Sequence, residues 1–495
     1  MTNEIVADTA CGRVRGLARD GCAVWRGIPF AAPPTGARRF LPPEPPAPWT
    51  GERDATKFGP VAMQSRDSRI AMMSGISEKT VMSEDCLCLN VFAPLAYADG
   101  RKRAVLVWVH GGAFVMGSGS TPLYRGETFA TDDLVVVTFN YRIGVLGLLY
   151  LGHKDPAYAH GNVCLLDQVA ALAWVKQNIA AFGGDPQRVT VMGESAGAVS
   201  IATLLGMPAA RGLFQAAIVQ SGASQLSVPT RADAAAFADG VLADLGVTDL
   251  HVLAELPVEK ILEAQQRAAL AKGLAAFAPY LDGVTVPIDP LAAVRDGSGI
   301  AVPILTGTNR DEWTLFAEFI GHAAAVAPLQ RAIVERIGEP ATAKLLAVYE
   351  ASDHGVAHGW IDLIGDVAFR IPVILLAEAN RAPTYVYRFD FASPGMGGKL
   401  GATHALELMF LWRALELPVG QFFLGGSAPG AKELGDHMHA TWVAFVKDHA
   451  PPAGWPAYAT PARPTMLFDV VSRVADDPGS VTRRACTEML ATSRP

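Results

Sequence analysis

Two short stretches of this chain hold residue types that can do chemistry together. The first is Gly193-Glu194-Ser195-Ala196-Gly197, which closes the β-branched run Val189-Thr190-Val191-Met192 and precedes a helix-compatible stretch, Ala198 to Leu205. A serine set between glycines at a strand-to-helix turn presents its hydroxyl, and the first helical N–H groups point at the oxygen of whatever it attacks. The pattern alone is common, but here it occurs once and in the context the chemistry requires. The second stretch is Trp108-Val109-His110-Gly111-Gly112-Ala113-Phe114, where a strand ends in a histidine and small residues. Backbone N–H groups reach a tetrahedral oxyanion only where side chains stay out of the way, so this reads as an oxyanion loop. Ser195 is then a nucleophile, with this loop beside it.

The surrounding pattern predicts the frame. Continuous apolar runs separated by helices signal a parallel sheet: Ala104 to Val109, Leu134 to Phe139, Val189 to Met192, Ala216 to Val219, Pro303 to Leu305 and Thr384 to Phe389. Leu165 to Ile179 is helically spaced. The start reads as small β structure (Ile5 to Thr9, Gly12 to Ala18, Cys22 to Phe30) with Asp20-Gly21 as a turn. Pro33 to Pro48 reads as extended surface chain. Residues 230–276 and 313–381 are rich in alanine and leucine and break the sheet rhythm. They read as helical insertions over the strand ends, where such sheets bind ligands. The expectation is one catalytic domain, residues 1–495, of the α/β-hydrolase fold: a large, mostly parallel central sheet with helices on both faces.

Composition excludes several classes. Half of the 495 residues are hydrophobic and 18% are charged, which allows a large core and argues against disorder. A net charge of −7 with no basic run disfavours nucleic acid or an anionic membrane as partner. Met1 to Arg15 has no apolar core of a secretion signal, and no apolar run is long enough to span a bilayer. Six cysteines without paired spacing read as reduced core thiols, and the expected location is the cytoplasm. His437 and His439, two apart in a predicted helix, face different ways, which argues against a metal pair. Oligomeric state is left open, a monomer included. The residues alone leave the triad acid between Asp311 and Glu312, and do not exclude His322, His354 or His358 as its base.

Further blocks carry a family likeness. They are Gly27-Ile28-Pro29-Phe30-Ala31 with Pro33-Pro34, Ser83-Glu84-Asp85-Cys86-Leu87 with Leu89-Asn90, Asn140-Tyr141-Arg142, Leu166-Asp167-Gln168, Phe182-Gly183-Gly184-Asp185-Pro186 and Gln220-Ser221-Gly222. With them the chain resembles the type-B carboxylesterases, the group of the bacterial para-nitrobenzyl esterases and the cholinesterases, over nearly its whole length. The resemblance implies Glu312 as the acid, in Gly307-Thr308-Asn309-Arg310-Asp311-Glu312, and His404 as the base, in Gly401-Ala402-Thr403-His404-Ala405-Leu406-Glu407-Leu408. Serine, acid and histidine then follow in the order of this fold. It also implies the N–H groups of Gly112, Ala113 and Ala196 as the oxyanion hole, Ser221 near Glu312, Glu194 beside the nucleophile, and structural ion pairs Arg39–Glu84 and Arg142–Asp167. The implied reaction is carboxylic-ester hydrolysis through an acyl-enzyme on a small-molecule ester, needing no metal or cofactor.

The chain departs from the family pattern at three places. Cys86 matches a position that is disulfide-bonded in secreted members, but Met63 stands at its partner position, so no disulfide is expected. Trp313 replaces a common glycine after the acid and is expected to alter the pocket, and Cys164 replaces another glycine. Met63 to Asp85 contains no aromatic residue but holds Met63, Met72, Met73 and Met82 with Arg66, Arg69 and Lys79. In cholinesterases this segment supplies a tryptophan that holds a cationic alcohol by cation–π attraction. Its absence here predicts neutral aryl or alkyl esters of short to medium acids. A carbamate or amide hydrolase with the same triad is the near alternative. A catalytically silent binding protein is the distant one, disfavoured because all three triad positions are filled.

Overall fold

The computed structural model describes residues 4–66, 75–223, 228–273, 276–352, 355–356, 358–426 and 428–492. Arg69, Met72, Met73 and His354 lie outside them. The chain divides into two compact units, residues 1–218 with 227–301, and residues 219–226 with 302–495.

The first unit is built on a mixed sheet. Its strands are β1 (Glu4–Thr9), β2 (Gly12–Arg19), β3 (Cys22–Pro29), β4 (Glu52–Asp54), β5 (Cys88–Pro94), β6 (Arg103–Val109), β7 (Val135–Phe139), β8 (Gly184–Glu194) and the start of β9 (Ala216–Gln220), whose last two residues belong to the second unit. Their order is β1-β2-β3-β5-β7-β6-β8-β9, with β4 beside β2. The N-terminal ladder is antiparallel, with Asp20 and Gly21 both at positive φ in the β2–β3 turn. Beyond it, β6 pairs in parallel with both β7 and β8. Every residue of β6 and β7 is buried, as continuous apolar runs in a covered parallel sheet must be. The helix Val163–Asn178 begins two residues before its expected start, with Cys164 buried in its first turn. Residues 230–276 form three helices, Arg231–Leu245, Leu250–Glu255 and Val258–Lys272.

The proline-rich stretch is not all surface. It makes a 3-10 turn at Gly36–Arg38 and then drops Arg39 and Phe40 into the interior. Arg39 is held by both oxygens of Glu84 (2.7 and 2.5 Å) and donates to Leu256 O (2.7 Å). A buried guanidinium needs this many acceptors, and its fork matches a carboxylate in two places. Arg142 is likewise held bidentately by Asp167 at 2.8 and 2.7 Å. Met63 and Cys86 line one small cavity between these two arginines.

The second unit carries β10 (Ile304–Asn309), β11 (Thr384–Phe389), β12 (Pro464–Phe468) and β13 (Arg473–Asp476); the first three are parallel and β13 is antiparallel to β12. Residues 313–381 are helical over Thr314–Ile320, His322–Ile337, Glu339–Glu350, Trp360–Gly365 and Ile371–Ala379, with a π turn at Asp366–Arg370. The last two strands were not apparent from sequence, because Pro464 to Asp476 is short, prolyl and charged.

All six cysteines are unpaired, and Cys22, Cys86, Cys164 and Cys486 are buried. Burial pushes the Cys22 thiol up to about 11 and those of Cys88 and Cys486 up to about 12, so none is thiolate at neutral pH. Thiol titration of the denatured, unreduced protein should therefore count six, with Cys11 the fastest to react before unfolding. A count of four or fewer would overturn the absence of a disulfide.

Candidate active site

Ser195 stands between β8 and the helix Ala196–Leu205 with φ 56° and ψ −123°, a conformation that costs a non-glycine residue about 1–3 kcal/mol. What holds it there is crowding. A Cβ at Gly197 would lie 2.1 Å from Val109 O, so only glycine lets the new helix start against the end of β6.

The loop after β6 is equally constrained. Gly112 has φ 113°, and Ala113 and Phe114 follow at 51° and 59°. Val115 N and Met116 N both donate to Gly112 O at 3.0 Å, closing a tight turn. Among the described residues the amides of Gly112 and Ala113 donate to no protein acceptor. That of Ala196, first in its helix, has none within the helix. These are the three N–H groups expected to receive an oxyanion. His110 braces the loop from behind: its ring stacks on Tyr141 (4.3 Å, 18°), and Tyr141 Oη donates to His110 O at 2.6 Å. Burial pushes the His110 imidazole down to about 4, so it is a neutral packing element. Asn140 Oδ1 accepts from Gly119 N, while Gln64 accepts from Gly117 N (2.8 Å) and donates to Gly117 O (3.0 Å). Glu194 is buried against Gly111.

In the second unit, His404 Nδ1 lies 2.6 Å from Glu312 Oε2, with both side chains buried. Glu312 Oε1 accepts from Asn309 N at 2.7 Å, so both carboxylate oxygens are fixed. Asp311 points elsewhere. Its carboxylate accepts from Ala402 N (2.7 Å), Val356 N (3.0 Å) and Arg310, pinning the chain two residues before His404. The Thr314 hydroxyl donates to Leu400 O (2.7 Å) and sits 2.8 Å from Thr403 Oγ1. Three residues after β10, Asp311, Glu312 and Thr314, thus hold one loop. His322 and His358 are exposed; His437 is exposed and His439 is buried on Leu411 O. Ser221, at φ 47°, donates its amide to Gly307 O (2.8 Å), and among the described residues its buried Oγ has no partner.

Comparison with known proteins finds relatives over nearly the whole chain. Residues 3–477 match the model of the carboxylesterase family. The chain is 38% identical to the para-nitrobenzyl esterase of Bacillus subtilis, covering 98% of each, and 35% identical to the phenmedipham hydrolase of Pseudarthrobacter oxydans, covering 98% of this chain and 97% of that one. A para-nitrobenzyl esterase structure superposes with a TM-score of 0.86 at 37% identity, over 97% of this chain and 99% of that one. A Geobacillus stearothermophilus carboxylesterase gives 0.85 at 38%, with the same coverage. The chain belongs to the carboxylesterase family. Its fold is the α/β-hydrolase fold of those structures, and it is a carboxylic-ester hydrolase.

Sequence reading missed several residues that pack around the candidate residues. Trp313 does not disturb the turn after Glu312: its φ of −88° and ψ of −6° suit any residue. Its ring packs on Phe316 (4.5 Å between centroids), its Nε1 donates to Ala325 O (3.1 Å), and Phe316 and Phe369 lie 5.3 and 4.6 Å from the His404 ring. Phe369 sits in the π turn, which no periodicity announces. Gln64, Asn309 and Glu407 were missed because nothing in their residue types marks what they bond: Gln64 lies among polar residues after Met63, Asn309 among the polar residues that close β10, and Glu407 in an apolar run. The useful signal was Glu407 alone among Leu406, Leu408, Met409 and Phe410, since a buried carboxylate must have partners.

Glu312→Gln should lower kcat on the order of ten-thousand-fold, as losing the group that orients a triad histidine does. Asp311→Asn should cost about 1–3 kcal/mol of stability, through a lost acceptor facing two amides, and less than about tenfold in kcat. Steady-state kinetics and thermal melts of the two variants separate the roles. A larger kcat loss for Asp311→Asn would reverse the assignment.

Proposed function

We propose that Ser195, Glu312 and His404 act as one triad on neutral esters. The observation that carries this reading is the 2.6 Å bond between His404 Nδ1 and Glu312 Oε2. It fixes the tautomer that leaves Nε2 as the base. His404 takes the proton of Ser195 as its Oγ attacks the ester carbonyl, and the oxyanion collects at the N–H groups of Gly112, Ala113 and Ala196. Glu312 stabilises the imidazolium. The alcohol leaves with the proton from His404, and water, activated by the same ring, releases the acid from the acyl-enzyme. Glu194 and Ser221 act in support. In this reading the whole chain is one catalytic domain, with residues 230–276 and 313–381 as helical cover over the site.

The substrate reading rests on chemistry next to His404. A leaving alcohol receives its proton from that ring, so it must pass the faces of Phe316 and Phe369. Apolar, half-buried rings favour neutral aryl or alkyl groups over hydrated ones. The loop argument contributes less, because residues 67–74 lie outside the described ones and Met63 sits by the Arg39–Glu84 pair instead. Arg66 is occupied by the carbonyls of Ser77 and Thr80.

Ser195→Ala should abolish ester hydrolysis, by about a million-fold in kcat, with the fold intact by circular dichroism, and an organophosphate should label Ser195 in the parent protein only. Normal turnover by the alanine variant sinks the triad. A panel pairing acetyl- and butyrylthiocholine with uncharged esters of the same acids tests the substrate reading. The neutral esters should have the higher kcat/KM; parity would mean that the rings beside His404 hold a cation as well.

A further inference from the structure

The strained turn that carries the oxyanion amides is held by a series of contacts that ends well outside it. Val115 N donates to Gly112 O at 3.0 Å and so fixes the Gly112–Ala113 peptide, whose own N–H is the Ala113 amide. The Phe114–Val115 peptide that supplies this donor is fixed in turn at its carbonyl, because Gly144 N donates to Phe114 O at 2.5 Å. Ala113 and Phe114 both have positive φ, and backbone in that region persists only where its surroundings over-determine it. The position of Gly144 therefore bears directly on where the Ala113 N–H points.

Gly144 opens a helix of five residues, Gly144–Leu148, all of them buried. The first amides of a helix have no partner within it, and Ile143 before it has no polar side chain to offer. Phe114 O takes the first of them. The second, Val145 N, donates at 2.9 Å to Oε1 of Gln265, 120 residues further along the chain. Gln265 comes from the helix Val258–Lys272, whose buried residues are Ile261, Ala264 and Gln265. Aliphatic residues alone would pack such a stripe, whereas a buried glutamine needs a polar partner. The approach at Gly144 is close: a Cβ there would lie 1.8 Å from Gln265 Oε1, and its φ of 59° suits glycine. Just upstream, Arg142 is fixed through its guanidinium and through its N–H, which donates to Asp167 Oδ2 at 3.0 Å. The stretch that reaches Phe114 is thus held at Arg142 on one side and at Val145 on the other, and the second hold is Gln265.

We propose that Gln265 is a positioning residue for the oxyanion hole: it holds the start of the helix Gly144–Leu148, and through Gly144 and the Phe114–Val115 peptide it keeps the Ala113 N–H aimed at the oxygen that turns negative when Ser195 attacks. The proposal rests on the amides of Gly112 and Ala113 being that hole. Its consequence is selective. A donor aimed at an oxyanion acts in the transition state and not on the resting ester, so a loss of aim lowers kcat and leaves KM nearly unchanged. Deleting such a donor outright costs about a hundredfold or more in kcat, and disturbing its support costs a part of that.

The experiment measures kcat, KM and inhibition by an alkyl trifluoromethyl ketone for the parent enzyme, Gln265→Leu and Gln265→Glu. The ketone takes Ser195 Oγ at its carbonyl carbon while the hydroxyl proton passes to His404, which leaves an oxyanion in the hole. The matching trifluoromethyl carbinol has the same shape and cannot form the adduct. Gln265→Leu fills the space without an acceptor. It should lose about tenfold in kcat, keep KM within about threefold, and bind the ketone about tenfold more weakly with the carbinol unchanged. Gln265→Glu keeps an oxygen at the same reach, ionised or protonated, and should stay within about threefold of the parent in every measure. Where Gln265→Leu does not fold, Gln265→Ala is read in its place, with the same signs and a smaller loss because water can reach Val145 N. Unchanged kcat and ketone binding in the folded variant, a kcat loss that the ketone does not share, or a glutamate variant as impaired as the leucine one overturns the role of Gln265. A parent that binds the ketone no better than the carbinol would instead overturn Ser195 and its oxyanion hole.

Discussion

The whole arrangement depends on how closely the end of β6 is approached by the turn that carries Ser195. The carbonyl of Val109 leaves no room for a side chain on Gly197, and the backbone of Ser195 takes a conformation few residues tolerate. The cost recurs in each unit: Ala113, Phe114 and Ser195 in the first, and Ser221 and Ala405 in the second, all have φ between 47° and 62°. At about 1–3 kcal/mol each, this is strain comparable to the net stability of a domain, and only a large surrounding core can sustain it. The fully buried strands β6 and β7, with the ion pairs Arg39–Glu84 and Arg142–Asp167, are that core.

Polar groups in the second unit follow a different rule. Three carboxylates, Asp311, Glu312 and Glu407, are buried within a hundred residues of chain, and each is oriented by donors that no other one shares except through Asn309. Two adjacent residues in sequence have opposite tasks: Asp311 holds main chain and Glu312 holds a ring. The difference is made by the turn after β10, which directs Asp311 at the amides of Ala402 and Val356 and Glu312 at the imidazole.

That division explains what was legible in the sequence. The elbow could be read because its chemistry demands glycine and serine at fixed spacing next to a strand, and β8 and the helix after it have the expected types. The oxyanion loop was legible for the same reason. Asp311 and Glu312 could not be told apart from residue type, since both are carboxylates on one turn; family likeness pointed to Glu312, and the hydrogen bonds are consistent with it. The π turn at Asp366–Arg370 and its Phe369 were invisible, because a π turn has no sequence period of its own. Pro33 to Pro48 was read from its prolines as surface, and the burial of Arg39 and Phe40 was missed because it depends on Glu84, forty-five residues away.

His404 has an asymmetric environment. On one side its Nδ1 meets a carboxylate that is itself backed by Asn309 and, further in, by Glu407. On the other it is flanked by Phe316 and Phe369, with Trp313 packed behind Phe316. Aromatic walls lower the local dielectric, which strengthens every charge interaction that remains and makes an unsupported imidazolium costly. In the proposed mechanism, a histidine placed against two rings needs more than one nearby carboxylate to work as a base near neutral pH. Trp313, packed on Phe316, thickens that apolar wall. In the proposed mechanism, the apolar wall that would admit aryl groups and the buried carboxylates behind the ring are two consequences of one constraint: a base that is dry on the substrate side has to be charged on the other.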